Sequence, residues 1–443
     1  MRFKLSDSVI QRNLDDFVYL NDMKLHVLTL LSPDMAKTIE FMHEWKSKED
    51  ICKFFIDEFQ IDEGLAEEYH TDVIQPLVKM GVIVSDSVHE NHQLSQHITT
   101  AGNVTNSEMT KEENDMLEYM VMNTIFWGVT LELTYSCNLR CPHCYISKQD
   151  RKEMTIEDWK SLILQLRRAN VANIVFTGGE IFVRKDALEI IEYASSLNFM
   201  IDIFTNGTLL TQEVLNKLKD LNIHSVQCSL YYAVPEKHDN FVKMAGAFEK
   251  TTQCLRTAKK LGLLTVLKTC LMECNYEEYE GLKDIARELG ADFQCTYIIM
   301  PSKDGSIKPT EQKIKERLII RELGQKLKAD KKVVDREVYE NECLCTAGYS
   351  SLSVDSYGDI YMCNAMGIKL GNVKQHDISE IWEHSPELIQ WRKITRKSMP
   401  DCLVCEYNTS CVYCPGKALK ETGSYLQCYE DAKTWAMELH EIN

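Results

Sequence analysis

The sequence predicts an α/β chain: a parallel sheet or partial (β/α)6 barrel, with an N-terminal α+β unit and a C-terminal cysteine-rich domain. Three observations carry this. Between residues 126 and 330, six short apolar, β-rich runs alternate with amphipathic stretches. Residues 1–86 read instead as a hairpin followed by helices. Beyond residue 341 the helical periodicity fades, and eight of the 17 cysteines crowd between Cys343 and Cys428.

At 443 residues and 44 % hydrophobic, the chain is long enough for two to four domains and a sizeable core. Wholesale disorder is excluded. No apolar run approaches the roughly 18 residues of a membrane helix. Met1–Asp7 is polar and lacks the apolar stretch of a secretory signal, so a cytoplasmic location is expected. A formal charge of −17 makes a poor general polyanion binder, because it repels phosphate. Seventeen cysteines without an export signal are not read as a disulfide framework.

The elements follow in order. Phe17–Leu20 and Leu25–Leu31 read as strands, with Asn21-Asp22 between them. Ser32-Pro33-Asp34 opens a helix, and Lys48–Phe59 and Glu63–Met80 are further helical stretches. Residues 87–125 are a polar linker. The domain at 126–330 has strands at Val129–Leu133, Asn173–Thr177, Met200–Thr205, Ser225–Leu230, Leu264–Thr269 and Phe293–Ile299. Helices intervene at Ile156–Arg168, Ala187–Leu197, Gln212–Leu221, Phe248–Leu261 and Tyr276–Leu289. In such folds functional groups gather at the C-terminal ends of strands. The last domain, 331–443, opens on a hairpin, Leu352–Cys363, turning at Ser356-Tyr357-Gly358-Asp359. A domain this rich in cysteine is held by metal more than by core. Cys52, Cys228, Cys254, Cys270, Cys274 and Cys295 lie scattered and read as small buried hydrophobes.

Cys137-Asn-Leu-Arg-Cys141-Pro-His-Cys144 follows directly on the first of these strands. Three thiolates so close can converge on one metal centre. Structural zinc wants four protein ligands, so a zinc site here needs His143 or a distant residue. An iron–sulfur cubane on three cysteines leaves one iron open to a ligand that is not protein. The next strand ends in Thr177-Gly178-Gly179-Glu180. Its glycines let the backbone approach a ligand closely, and the carboxylate can accept from a ligand ammonium.

Together these elements resemble the radical S-adenosylmethionine (SAM) superfamily over roughly residues 126–300, through its Cys-x3-Cys-x2-Cys signature and Gly-Gly-Glu element. The resemblance implies a TIM-like partial (β/α)6 barrel. It implies that Cys137, Cys141 and Cys144 hold a [4Fe–4S] cluster, with the amino and carboxylate groups of SAM on the open iron. By the same resemblance Gly178, Gly179 and Glu180 bind the SAM amino group, and His143 takes the usually aromatic position near the adenine. Asn206, in Thr205-Asn206-Gly207-Thr208, lines the site, and Ser229 contacts the ribose. A turn-former and a polar strand end are the plain alternatives for these two.

In the last domain, Cys345-x12-Gly358-x4-Cys363 precedes Cys402-x2-Cys405-x5-Cys411-x2-Cys414-Pro415 and then Cys428. Zinc ribbons are the alternative, but a five-residue spacer is short for one. In two-cluster ferredoxins the last cysteine of a run, before proline, ligates the other cluster. The spacing resembles the SPASM extension of radical SAM enzymes, which carries two auxiliary [4Fe–4S] clusters. That implies Cys402, Cys405, Cys411 and Cys428 at an outer cluster, and Cys345, Cys363 and Cys414 at an inner one, for three clusters in all. Cys343 is the candidate fourth inner ligand; otherwise a substrate thiolate takes the open iron. The family usually has three residues where Val412-Tyr413 stand.

A hairpin with helices is also the layout of a DNA-binding winged helix. Residues 1–90 hold 9 basic and 18 acidic side chains, which opposes phosphate contacts. The winged-helix-like unit instead resembles the PqqD-like recognition element of enzymes that modify ribosomally made peptides. That implies a leader peptide added as a strand at the hairpin edge, carrying Lys or Arg to complement the acidity.

The activity these resemblances imply is peptide maturation (RiPP biosynthesis): hydrogen abstraction from a precursor peptide, then an intramolecular Cys thioether of sactipeptide or ranthipeptide type. Thr177-Gly-Gly-Glu-Ile-Phe-Val183 looks most like the subtilosin-type maturases, which join sulfur to an α-carbon. A carbon–carbon crosslink, such as Lys to Trp, is the main alternative. Sulfatase maturases are another, but they carry an Asp base where Asn364 stands. A non-catalytic electron-transfer protein is the last. The expected partners are the precursor peptide and an electron donor of flavodoxin or ferredoxin type, with neither nucleic acid nor membrane. Tyr231, Lys268 and Asn364 are candidate proton acceptors by position alone.

Overall fold

The computed structural model describes residues 2–6, 9–14, 17–22, 27–31, 33–79, 82–86, 117–118, 120–327 and 340–442. They fall in two compact units, one within the first hundred residues and one running from Leu117 onward. Most of the expected linker, Ser32 and the start of the strand Leu25–Leu31 lie outside the described residues.

In the first unit, β1 (Arg2–Leu5) is the middle strand of a small antiparallel sheet, between β5 (Lys46–Ser47) and β6 (Ile83–Ser85). A second antiparallel sheet is the meander β2 (Val9–Leu14), β3 (Phe17–Asp22), β4 (Val27–Leu31). The predicted hairpin is therefore β3–β4. The run Val-Ile-Gln-Arg-Asn-Leu of β2 has neither clean alternation nor β-rich composition, and only its pairing reveals it. Helix α1 (Pro33–Phe41) starts at the expected proline. Helix α2 (Lys48–Phe59) is opened by a reciprocal cap, Asp50 N–H to Ser47 Oγ and Ser47 N–H to Asp50 Oδ2. The predicted helix Glu63–Met80 is instead α3 (Glu63–Tyr69), a π-turn at His70–Ile74 and α4 (Gln75–Lys79). Pro76 lacks the N–H that a continuous helix would need. Phe3, Ile39, Met42, Ile51, Phe55 and Ile74 pack into this unit's own core.

The second unit is built on one sheet. Strands β7 (Gly128–Thr134), β8 (Asn173–Gly178), β9 (Met200–Thr205), β10 (Ser225–Ser229), β11 (Leu264–Cys270) and β12 (Asp292–Thr296) run parallel and adjacent in sequence order. All six predicted strands are present. Helices α5 (Ile156–Arg168), α6 (Ala187–Ser196), α7 (Gln212–Asp220), α8 (Pro235–Val242), α9 (Ala247–Lys260) and α10 (Tyr279–Leu289) fill the crossovers. This is the repeated strand–helix–strand pattern of a partial barrel. Past β12 come α11 (Arg317–Leu327) and then β13 (Ser351–Val354), which lies parallel against β7. Strands β14 (Asp359–Tyr361) and β15 (Lys369–Asn372) follow antiparallel. The region expected as a separate C-terminal domain thus lends three strands to the barrel's sheet. It ends in α12 (Ile378–His384), α13 (Pro386–Trp391), α14 (Pro400–Leu403), α15 (Pro415–Thr422) and α16 (Glu430–Ile442).

Alternate strand residues face opposite ways. Leu131, Leu133, Ile174, Phe176, Ile203 and Val226 share one core with Trp159, Leu162 and Ile190 of the helices. The intervening residues are polar and still buried: Glu132, Asn173, Asp202, Ser225 and Gln227. Buried polar groups need partners. Asp202 accepts from Ser225 (2.5 Å) and Asn173 (2.9 Å), with His224 Nδ1 at 2.8 Å. Of the scattered cysteines, Cys228, Cys254 and Cys295 are buried as expected, and Cys52 and Cys270 are half-buried. Cys274 is exposed, which corrects its reading as a buried hydrophobe: it follows Glu273 in the loop after β11, beyond the sheet's cover.

Candidate functional site

The loop beyond β7 carries Cys137, Cys141 and Cys144, and the end of β8 docks on it. Gly179 N–H donates to Thr134 O (2.7 Å) and Glu180 N–H to Ser136 O (2.9 Å). Gly178 sits at φ 136°. A Cβ there would overlap the Thr134 carbonyl oxygen, and one at Gly179 the Ser136 carbonyl oxygen. These glycines let two loops touch each other.

Cys137 and Cys141 are half-buried against Leu139, Tyr231, Phe241 and Met272, while Cys144 is exposed. Burial, then Cys144, Cys137 and Cys270 in electrostatic reach, hold the Cys141 thiol well above its ordinary range. Thiols gathered this way ionise together only beside a cationic centre. Among the described residues, no three His, Cys, Asp or Glu side chains meet closely enough to share a single metal ion. A cubane takes each thiolate on its own iron, and this donor set fits that.

Glu180 is fully buried. It accepts from Phe182 N–H (3.1 Å), the Thr205 hydroxyl (2.8 Å) and Asn206 N–H (2.7 Å). Burial raises its pKa, and these bonds oppose the rise. The Thr205 hydroxyl lies 2.8 Å from both carboxylate oxygens, so each oxygen already has two contacts. Asn206 Nδ2 donates to Asn138 Oδ1 (2.9 Å) and its Oδ1 accepts from Thr208 N–H (2.9 Å), tying the cysteine loop to the end of β9. His143 lies 4.7 Å from the Tyr231 ring and 5.5 Å from the Phe241 ring. Burial lowers its pKa to about 4. Its buried Nδ1 has no partner among the described residues, so this imidazole offers an unused hydrogen-bonding atom. Ser229 ends β10, two residues before Tyr231. Lys268 lies deeper on β11. Its Nζ donates to Gln227 Oε1 (3.0 Å) and stands 3.7 Å from the Phe204 ring centre, and burial lowers its pKa to about 7.

The remaining cysteines gather in two groups. Cys345 is pushed up to about 12 by burial, then by Cys363, Cys414 and Cys343. Cys363 is pushed up to about 11 by burial, with Cys414 acting on it as well. Cys411 is pushed up to about 12 by burial, then by Cys428, Cys402 and Cys405. The two-residue spacer Val412-Tyr413 therefore suffices to turn Cys411 and Cys414 to different groups. Cys414 caps the N-terminus of α15. Cys343 bridges to Thr395, and Arg396 and Glu342 are its charged neighbours. It stands at the margin of the Cys345 group.

Sequence reading missed a polar cage between these thiols. Glu132, on β7, is 1 % exposed. It accepts from Tyr135 Oη (2.8 Å), Tyr145 Oη (3.0 Å) and Lys303 Nζ. Asn364 Nδ2 donates to the same Tyr145 Oη (2.9 Å). Tyr145 follows Cys144 and Asn364 follows Cys363. The available signal was a lone glutamate inside the apolar run Val129–Leu133.

Residues 131–289 match the model of the radical SAM superfamily, and residues 343–406 match an iron–sulfur cluster-binding domain, SPASM. The antilisterial bacteriocin subtilosin biosynthesis protein AlbA of Bacillus subtilis is 28 % identical over 319 residues, 69 % of this chain and 70 % of its own. An AdoMet-dependent heme synthase of Methanosarcina barkeri is 27 % identical over 328 residues, 68 % of this chain and 94 % of its own. The crystal structure of Streptococcus suis SuiB bound to precursor peptide SuiA matches in fold with a TM-score of 0.61 and 15 % identity. That match covers 98 % of this chain and 99 % of SuiB.

Proposed function

We propose that this radical SAM enzyme, with its iron–sulfur cluster-binding SPASM domain, matures a ribosomally made peptide by linking a cysteine sulfur to another of its residues. The observation that carries the reading is the hydrogen bond between Tyr145 and Asn364. It joins the immediate neighbours of Cys144 and Cys363, so the loops that carry the first thiol group and a second one are tied together by one hydrogen bond. SAM on a cluster held by Cys137, Cys141 and Cys144 supplies, when bound, a 5′-deoxyadenosyl radical that removes a hydrogen atom from an unactivated carbon.

The chain's own residues set the conditions. Glu180 is the carboxylate that would meet the SAM ammonium, exchanging one of its present donors for it, and Asn206 ties the cysteine loop to the end of β9. His143, Tyr231 and Phe241 give an aromatic wall for the adenine and exclude water. Cys345, Cys363 and Cys414 would hold an inner auxiliary cluster, and Cys402, Cys405, Cys411 and Cys428 an outer one. The first unit takes the leader peptide. Its meander ends in β2 and β4, which keep one unpaired edge each among the described residues, and an added strand uses such an edge. Likeness to AlbA supports a thioether. A carbon–carbon link is the second reading, and likeness to the PqqA peptide cyclase of Bradyrhizobium diazoefficiens, 26 % identical over 299 residues, supports ring closure within a peptide. Asn364 in place of an acid counts against sulfatase maturation.

The test is tandem mass spectrometry of a cysteine-containing peptide encoded beside the gene, after incubation with anaerobically reconstituted enzyme, SAM and dithionite. Loss of two hydrogens per link, with the cysteine no longer alkylatable, is expected. The same loss with alkylatable cysteine selects the carbon–carbon reading. Removal of residues 1–86 is expected to lower conversion of a leader-bearing peptide by about a hundredfold at low peptide concentration, because tethering is lost. SAM cleavage without peptide is expected to continue. Equal conversion by the shortened enzyme would remove the first unit from recognition.

A further inference from the structure

We propose that Lys268 holds a carboxylate of the substrate peptide, so that the residue which loses hydrogen is an aspartate or a glutamate. The inference deepens the crosslinking reading above and rests on it. Along the six parallel strands β7–β12, Lys268 is the only Lys or Arg. Successive side chains of a strand face opposite ways. On one face of β9, β10 and β11, Ile203, Cys228 and Leu267 are 0 % exposed. On the other, Phe204, Ser229, Lys268 and Cys270 are only half-buried. Each of these strands is paired on both sides. Solvent therefore reaches the four residues from the inner face of the partial barrel, and Lys268 stands in an open lumen.

The lumen joins the first thiol group. Cys270 lies in electrostatic reach of Cys141 and Cys144. Lys268 is two residues before it on the same face, about 7 Å further down the strand. A side chain entering from the mouth meets the thiol group first and the amine after it, so a carboxylate held below fixes its carbons beside that group. The surroundings of the amine suit an anion. Its Nζ donates to Gln227 Oε1 (3.0 Å) and stands 3.7 Å from the Phe204 ring centre. An amide oxygen and a ring face are weaker partners for an ammonium than a carboxylate is. The acids of the inner face are engaged, Glu132 with Tyr135, Tyr145 and Lys303, and Asp202 with Ser225, Asn173 and His224. Burial works against the charge of Lys268, and a carboxylate beside it restores that charge. An uncharged side chain in the same place leaves the cation without that partner, so the lumen selects for the acid.

The experiment uses reconstituted holoenzyme with SAM, dithionite and the peptide encoded beside the gene, and locates the link by tandem mass spectrometry. The link is expected between a cysteine and an Asp or a Glu. Changing that acid to its amide in the peptide, and Lys268→Met in the enzyme, are each expected to lower kcat/KM for crosslinking about a hundredfold, the scale of a charge left without its partner. Combined, the two changes are expected to cost no more than either alone. Amidating the C-terminus of the peptide is expected to change nothing. A link on an uncharged residue overturns the proposal, and so do losses that multiply. A loss seen only with the amidated peptide assigns the amine to the chain end and overturns it too. If Lys268→Met at normal iron loading abolishes SAM cleavage without peptide, the amine serves the SAM carboxylate and the proposal falls. The peptide-side change needs no altered enzyme, so undiminished crosslinking of the amide peptide overturns the proposal even where Lys268→Met fails to fold. Absence of any crosslink with the unaltered enzyme instead sinks the peptide reading itself.

Discussion

Replacing Cys141 with Ala is expected to reduce 5′-deoxyadenosine formation to the uncatalysed background and to lower reconstituted iron by about four atoms per chain. The fold should survive. Cys141 is half-buried against apolar neighbours, and alanine fits where the thiol sat. The loss is therefore chemical: two thiols cannot hold a cluster that needs three. Iron content and SAM cleavage, measured on the same sample, check this. Cleavage retained at the ordinary rate would show that the thiol group beyond β7 does not hold the SAM-binding centre. The change leaves both groups of thiols in the C-terminal region untouched, so a residual iron–sulfur absorbance is expected to persist.

Gly179→Ala should be nearly as damaging by a different route. The added methyl meets the carbonyl oxygen of Ser136, with the Ser136 and Tyr135 carbonyl carbons close behind. All three are backbone atoms, so no side chain can swing aside. The cost is expected to be about 3 kcal/mol, at the upper end for overpacking. More important is where the strain falls. The bonds Gly179 N–H to Thr134 and Glu180 N–H to Ser136 hold the cysteine loop against β8, and pushing them apart displaces Cys137. A lowered melting temperature with under-loaded iron is the expected result. Normal loading at reduced stability would mean that the loop is positioned from elsewhere.

The barrel was legible because its outward strand faces are aliphatic and its crossover helices amphipathic. Leu131, Ile174, Ile203 and Val226 announce their strands through side chains that all bury against helices. The thiol groups were legible through spacing. What could not be read were contacts between distant segments. Glu132 looks like one polar residue in an apolar run, and its partners Tyr145, Lys303 and Asn364 are brought to it only by the fold. Gly178 and Gly179 read as room for a ligand, whereas the structure uses their missing side chains for loop-on-loop packing. The short strand β1 and the break at His70–Ile74 carry too little local pattern to be found. The strand β13 was visible, but nothing in its residues names β7 as its neighbour.

That last pairing constrains how the enzyme is made. Gly128 sits opposite Ser351, so the edge of the barrel that presents the first thiol loop stays uncovered until most of the chain has left the ribosome. Contacts between residues so far apart in sequence slow folding, because the intervening loop must close before the pairing rewards it. During that interval β7 is an open strand edge beside three thiols that the fold has not yet covered. Such an edge invites aggregation, and the thiols invite oxidation. Slow, cool expression under anaerobic conditions, with iron and sulfide supplied as the chain is completed, therefore suits this protein better than refolding it afterwards.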